Sequence, residues 1–112
     1  MALEEITGEN WRSFTESPLA VLVIGKTDCP NCATWTEELV SFLADDSEFG
    51  DVRFGKVLLD QRGLADFKKN NSWLADLDVL PFNVIYANGE KKKDFAGGGI
   101  DRLTNRLSRL KS

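Results

Sequence analysis

Cys29 and Cys32 are the residues whose type and spacing most directly indicate chemistry. The chain contains these two cysteines and no histidine, and Pro30 and Asn31 separate them. One cysteine pair cannot supply the four ligands of a structural zinc site, so no metal is expected, and a histidine-based catalytic triad is excluded. A structural disulfide across so small a loop would bring little entropic benefit. The spacing favours thiol–disulfide exchange, with Cys29 as nucleophile and Cys32 as resolving thiol.

The elements that flank the pair are expected to place Cys29 at the start of a helix. Residues 19–24 form a continuous apolar run rich in branched side chains, which is typical of a strand buried on both faces. After a short turn, apolar residues recur at helical spacing and predict a helix over residues 30–44. Unpaired N–H groups at a helix start stabilise an anion, so we expect the Cys29 pKa to lie below about 8.5.

Asp28 opposes this effect of the helix. A carboxylate directly before Cys29 repels a thiolate by about 1–3 kcal/mol at a separation of about 6 Å, which is comparable to the stabilisation by the helix. We therefore predict a modestly lowered pKa for Cys29. In an alternative interpretation, which the sequence leaves open, Asp28 caps the helix and has no redox role.

The rest of the chain predicts a mixed sheet between helices. The remaining predicted elements, in chain order, are a short strand near residues 2–6, a helix over 9–14 capped by Thr7, a strand over 52–60, a short helix at 64–67, a loop or extra turn at 72–78, a hairpin of 82–86 with 93–95, and an amphipathic helix over 100–110. Asn88-Gly89 is the hairpin signal. The strand–helix–strand order around the cysteines implies a parallel pair with a right-handed crossover.

Length and composition indicate one domain, residues 1–112, with 42% hydrophobic and 29% charged residues. The longest apolar run, residues 19–25, is too short to cross a bilayer, and residues 1–5 lack a basic start and apolar stretch, so we expect a cytoplasmic protein that does not enter a membrane. The formal charge of −4 disfavours nucleic acid as a partner. We expect the lysine run at residues 91–93 to be a solvated hairpin end.

This order of elements, with Cys-Pro-Asn-Cys at a strand-to-helix junction, resembles the thioredoxin superfamily over nearly the whole chain. The resemblance implies the thioredoxin fold: an α/β architecture with a mixed central sheet of four to five strands flanked by helices on both faces. It implies that Pro81 is a cis-proline facing the disulfide and that the Leu80 backbone pairs with an extended substrate segment, with Pro30 and Asn31 also contacting substrate. Further matching positions are Lys56, Asp60-Gln61, Asn88-Gly89-Glu90 and Gly97.

Several positions depart from the family pattern. The family's buried acid falls on Val23, so that Lys56, which matches the lysine beside that acid, either tunes the Cys32 thiol alone or points to solvent. Asp28 and Lys56 are therefore the candidate residues that tune the pKa values of the pair. The other replacements are Asp28 for an aromatic residue, Pro30-Asn31 for Gly-Pro and Glu37 for a helix-kinking proline. Proline directly after the first cysteine is similar to the glutaredoxin pattern.

The leading hypothesis is a monomeric thiol–disulfide oxidoreductase that acts on protein disulfides and receives electrons from a reductase. It needs no cofactor beyond the redox-active disulfide of Cys29 and Cys32. One alternative is a non-enzymatic interaction or redox-sensing module, which the missing acid at Val23 favours. Another is a glutaredoxin-like, glutathione-dependent reductase, which Pro30 favours.

Residues 71–78 look longer than the corresponding segment of the family and lead directly to Pro81. Trp73 and Leu74 in this segment have two interpretations that the sequence leaves open. They add contact surface for a partner beside the active site, or they anchor the segment to the core.

Overall fold

A five-stranded mixed sheet forms the centre of the structure, a computed structural model that describes residues 3–45 and 48–111. The strands are β1 Leu3–Glu5, β2 Ala20–Gly25, β3 Arg53–Leu58, β4 Phe82–Ala87 and β5 Glu90–Ala96. They lie in the order β1-β3-β2-β4-β5. β1 and β2 run parallel to β3, β4 runs antiparallel to β2, and β5 antiparallel to β4. The prediction of a mixed sheet is confirmed.

Helices cover both faces of this sheet. They are α1 Trp11–Thr15, α2 Pro30–Asp45, α3 Ala65–Asn70 and α4 Ile100–Lys111, with a 3₁₀ helix at Ser72–Asp76. Side chains of β2 alternate between two cores: Leu22 and Ile24 pack with α1 and α3, whereas Val21 and Val23 pack with α2 and α4. This alternation follows from the period of two in a strand.

The central position of β2 fixes where the cysteines emerge. Every residue of β2 is buried between β3 and β4, as its continuous apolar run predicts. The strand ends at Gly25, and α2 begins five residues later at Pro30. The cysteine motif therefore lies at the carboxyl end of the central strand, at the edge of the sheet where crossover loops of open α/β sheets form ligand sites.

The hairpin and the closing helix agree with the sequence prediction. Asn88 and Gly89 join β4 to β5 with φ angles of 54° and 87°, which suits the tight turn of a two-residue hairpin. Leu103 and Leu107 are fully buried along one side of α4. Among the described residues, no helix is long and apolar enough to cross a membrane.

The first helix is shorter than predicted, because the residues before it form a separate turn. α1 begins at Trp11, and Asn10 occupies the N-cap position that was expected for Thr7. The Thr7 hydroxyl accepts the Glu9 N–H, and the Asn10 side chain accepts the Thr7 N–H at 2.7 Å. These bonds hold residues 7–10 in a turn ahead of the helix. The predicted shared face of Trp11 and Phe14 is confirmed, since both are buried.

Residues 72–76 anchor the chain before Pro81 rather than forming an open loop. Leu74 is buried, and Trp73 packs against the core with its ring 6.3 Å from that of Phe82. The Lys91 ammonium lies 3.8 Å from the Trp73 ring. Of the two interpretations of Trp73, core anchoring is therefore the one that the packing favours.

Candidate active site

Cys29 occupies the N-cap position of α2. Its carbonyl accepts the Ala33 N–H at 3.0 Å, which is the first hydrogen bond of the helix. The Cys32 backbone N–H points back at the Cys29 sulfur, with 3.2 Å between N and Sγ. An N–H group that has no partner within the helix is thus directed at the sulfur where a thiolate would form. The expected placement of Cys29 at the helix start is confirmed.

The two cysteines form a disulfide, and they differ in exposure. Their Cα atoms lie 5.2 Å apart. Cys32 is only 6% exposed, whereas Cys29 is half-buried. Gly25, at the end of β2, makes room for the inner sulfur, because a Cβ atom there would lie 3.1 Å from Cys32 Sγ. An incoming sulfur can therefore approach Cys29 more readily than Cys32.

The loop before Cys29 is tied to the end of β3. Thr27 donates its backbone N–H and its hydroxyl to the Asp60 carboxylate, and these bonds lower the pKa of Asp60. Asp28 follows in a left-handed conformation with φ of 54° and is exposed. Because Cys29 occupies the N-cap position, the alternative in which Asp28 caps α2 is wrong.

Two grooves lie beside the Cys-Pro-Asn-Cys motif. The first, which we call the Lys56 groove, has a volume of about 680 Å³. Its lining includes both cysteines, Pro30, Asp28, Glu37 and Lys56. Pro30, predicted to contact substrate together with Asn31, thus lies on the side of Asp28 and Lys56, the two candidate residues for pKa tuning.

The second groove, the cis-proline groove, has a volume of about 430 Å³. Its lining consists of Asn31, Thr34, Trp35, Glu38, Val79, Leu80, Pro81 and Gly97 to Gly99. Three of the four predicted substrate-binding residues therefore share one groove: Asn31, Leu80 and Pro81. Val79, with a side chain 50% exposed, adds an apolar surface there.

The Leu80–Pro81 peptide bond is cis, as the resemblance implies. The Pro81 carbonyl accepts the Gly97 N–H at 2.8 Å. Within residues 3–45 and 48–111, the Leu80 backbone forms no hydrogen bond, so that its N–H and carbonyl are available to an added strand.

Lys56 lies beside the position of the absent acid. Its strand register places it between Glu5 on β1 and Val23 on β2. Val23 is 2% exposed and apolar, and the Lys56 ammonium instead lies 3.5 Å from the Glu5 carboxylate. Lys56 thus pairs with an acid on the edge strand and also lines the groove that contains Cys32.

A buried polar cluster behind the cis-proline groove was not predicted from the sequence. Asn83 is fully buried and accepts the Trp35 indole N–H at 2.7 Å. Its amide group donates to the carbonyls of Phe95 at 3.1 Å and Gly97 at 2.7 Å. Asn83 thereby links α2 and β5 to Gly97–Gly99, which line the groove and which we call the glycine wall. The available signal was a single polar residue within an otherwise apolar strand.

Trp35 and the glycine wall are also in close contact. A Cβ atom on Gly98 would lie 3.0 Å from the Trp35 ring, so that any side chain at this position would crowd the ring. No group of three or more histidine, cysteine, aspartate or glutamate side chains in the described part of the chain could hold a metal ion.

The structure is similar to those of several thioredoxins. The thioredoxin of Malassezia sympodialis superposes with a TM-score of 0.77, covering 96% of this chain and 90% of its own, at 17% identity. Spinach chloroplast thioredoxin f gives 0.78, covering 98% and 87%, at 18% identity. Chlamydomonas reinhardtii thioredoxin f2 gives 0.72, covering 97% and 96%, at 23% identity. Neither a protein-family model nor a curated protein matches the sequence. The chain has the thioredoxin fold.

Proposed function

We propose that this protein is a thiol–disulfide oxidoreductase that acts on disulfides of partner proteins. The observation that carries the proposal is the Cys32 N–H directed at the Cys29 sulfur from 3.2 Å, at the start of α2. This placement stabilises a thiolate on the more exposed of the two sulfurs. The buried sulfur of Cys32 is then the resolving thiol.

The exchange proceeds in two steps. In the reduced protein, the Cys29 thiolate attacks one sulfur of a target disulfide and forms a mixed disulfide with it. The target S–S bond breaks, and the other target sulfur leaves as a thiolate that takes a proton from water. The Cys32 thiolate then attacks Cys29 Sγ, which breaks the mixed disulfide and releases the second target sulfur. Two electrons pass to the target, and the Cys29–Cys32 disulfide is formed. A dithiol reductant must then supply two electrons to reduce the Cys29–Cys32 disulfide again.

Lys56 is proposed to assist the second step. Cys32 must lose its proton before it attacks, and a nearby cation favours the thiolate. Lys56 lines the same groove as Cys32, and its ammonium lies 3.5 Å from the Glu5 carboxylate. Asp28, directly before Cys29, acts in the opposite direction on the first thiolate. The two residues are thus proposed to tune the pair with opposite signs.

We propose the cis-proline groove as the binding site for the target segment. Pro81 and Asn31, which lies between the two cysteines, both line this groove, and the Leu80 backbone is free to pair with an extended chain. Pro30 is proposed to contact the target from the Lys56 groove. The protein is further proposed to work as a monomer in the cytoplasm, with a reductase as partner and no cofactor other than its own disulfide.

Reduction of a model protein disulfide, driven by a small dithiol, tests the proposal. The unmodified protein should accelerate the reduction, and Cys29→Ser should abolish the acceleration because no nucleophile remains. Cys32→Ser should instead accumulate a mixed disulfide through Cys29, detectable as a covalent adduct on a non-reducing gel. Equal rates with the unmodified chain and Cys29→Ser would refute an enzymatic role.

The absence of an acid at Val23 favours one alternative. With an apolar, 2% exposed side chain at that place, proton transfer from Cys32 lacks a carboxyl group on β2. In the alternative, the fold is an interaction module and the cysteine pair senses the redox state. Partner binding that is retained by Cys29→Ser, without any disulfide reduction by the unmodified chain, would support this alternative.

A further inference from the structure

Two neighbouring acids on α2 line different grooves. Glu37 lines the Lys56 groove, where Lys26, Asp28 and Lys56 also contribute charges. Glu38 lines the cis-proline groove and is the one charged residue in its lining, as far as the described residues show. The separation follows from helix geometry, since successive side chains are about 100° apart around the axis. Glu38 therefore places a negative charge on the side where Leu80 and Pro81 lie.

The Glu38 side chain is also without an interaction partner among the described residues. Its exposed carboxylate has no hydrogen bond or ion pair with any residue in the ranges 3–45 and 48–111. Arg102, three residues after Gly99, is the basic residue nearest in sequence to the glycine wall. Its guanidinium already has partners within the protein. It donates to the carbonyls of Ala96 at 2.8 Å and Gly98 at 3.2 Å and lies 4.9 Å from the Phe95 ring. The groove thus offers a free anion, whereas its neighbouring cation has several partners.

We propose that the cis-proline groove favours target disulfides flanked by a basic side chain, and that Glu38 is the residue that determines this specificity. The inference rests on the proposed function, because it assumes that a target segment lies in this groove. An approaching lysine or arginine would meet the Glu38 carboxylate without competition from a partner within the protein.

The helix geometry gives the expected position of the basic residue. Glu38 is nine residues after Cys29, the cysteine that binds the target, or about 13.5 Å at 1.5 Å per residue. An extended chain covers this distance in about four residues. Glutamate side chains on a helix lean toward its N-terminus, which shortens the span. The basic residue is therefore expected three or four positions from the target cysteine.

A pair of disulfide peptides tests the inference. The two peptides are identical except for lysine or glutamate placed three positions from the cysteine that is attacked. The reduced protein is mixed with each, and the single-turnover rate constant of disulfide reduction is measured at low ionic strength. The lysine peptide should react faster by about two- to fivefold, as expected for one exposed charge pair.

Three variants assign the preference to its source. Glu38→Gln should bring the rate ratio close to one, and Glu38→Lys should reverse it. Glu37→Gln is the matched control, because it removes the same charge from the adjacent residue but faces the other groove, and it should keep the ratio of the unmodified protein. Added salt should reduce the ratio in the unmodified protein and leave it unchanged in Glu38→Gln.

Each possible result has a distinct meaning. Equal ratios in the unmodified protein and Glu38→Gln would overturn the inference while leaving the exchange activity intact. An equal loss in Glu37→Gln and Glu38→Gln would also overturn it, because net charge rather than the groove would then set the preference. Failure of the unmodified protein to reduce either peptide or a small aromatic disulfide would refute the proposed function and the inference with it.

Discussion

The two faces of the sheet are held to their helices in different ways. On the face covered by α2 and α4, Asn83 links the Trp35 indole to two carbonyls through hydrogen bonds beneath the surface. On the face covered by α1 and α3, close packing takes this role in the interior, and the hydrogen bonds from Arg53 of β3 to Ser13 and Ser17 lie at the rim. A Cβ atom on Gly55 would lie 2.7 Å from Ile6 and 2.9 Å from Phe14, so that glycine lets α1 approach the sheet.

The buried polar groups on these faces also differ. Both polar ends of the Asn83 amide are paired, whereas the Tyr86 hydroxyl on the opposite face is buried without a hydrogen-bond partner in the described structure. Directional bonds thus occur where the groove beside the disulfide needs a fixed shape. The opposite face carries no proposed site, and its interior contacts are those of packed apolar side chains.

Asn83→Leu should have the largest effect on this contrast. It removes the partner of the Trp35 N–H and of the Phe95 and Gly97 carbonyls, and we expect the free energy of unfolding to fall by about 3–5 kcal/mol. Urea denaturation measures this change. The KM for protein disulfides should rise more than that for a small aromatic disulfide, because the glycine wall of the groove loses its hydrogen bond from Asn83. A loss below about 1 kcal/mol would show that the polar cluster is not needed.

Trp35→Phe breaks one bond of the same cluster. The Asn83 oxygen loses its donor and part of the ring volume is left empty, so that we expect a loss of about 2–3 kcal/mol in urea denaturation. Trp73→Phe is the matched control, since that indole is half-buried and contacts Lys91 and Phe82 instead. Equal losses in the two variants would contradict a special role for the Asn83 bond.

Gly55→Ala tests the opposite face, where shape is decisive. The added methyl group would overlap with Ile6 and Phe14, and we expect a loss of about 1–2 kcal/mol with little effect on disulfide reduction. Combining it with Ile6→Ala, which removes both contacting atoms of the isoleucine, makes room for the methyl group, so that the loss in the double variant should be smaller than the sum of the two single losses in a double-mutant cycle. Purely additive losses would argue against the steric explanation.

Tyr86→Phe should have the smallest effect, and it should be stabilising. Removing a buried hydroxyl without a partner is expected to raise the free energy of unfolding by about 1 kcal/mol. Burial also raises the pKa of Tyr86 to about 12, from 10.0 for an unperturbed tyrosine. The folded state therefore keeps the proton more tightly, and the unmodified protein should lose stability as the pH rises from about 10 to about 12.

The phenylalanine variant lacks this pH dependence, so its advantage should grow above pH 10. Because Tyr86 is the one tyrosine of the sequence, its ionisation is directly visible in the ultraviolet spectrum. A titration midpoint near 10 in the folded protein would show that the hydroxyl is not shielded from water, and a variant less stable than the unmodified chain at neutral pH would show that the hydroxyl has a partner.

Local sequence signals sufficed for the elements that carry the cysteines. A continuous apolar run gave β2 and helical periodicity gave α2, while Asn88-Gly89 identified the hairpin. Each depends on the period of the backbone or on allowed φ angles, which are properties of a few consecutive residues. The cis bond before Pro81 followed from the resemblance to a known family, and the structure confirms it.

Contacts between distant residues were decided only by the tertiary structure. Nothing in the sequence around Asn83 indicates that Trp35, 48 positions earlier, supplies its donor. The pairing of Lys56 with Glu5 depends on strand register, and the separation of Glu37 from Glu38 depends on how α2 is rotated against the sheet. Register and rotation are set by packing of the whole core, because burying one face requires all elements to fit together. The periodicity of the sequence therefore determined where the cysteine pair lies, and the packing of the core determined which side chains line the grooves around it.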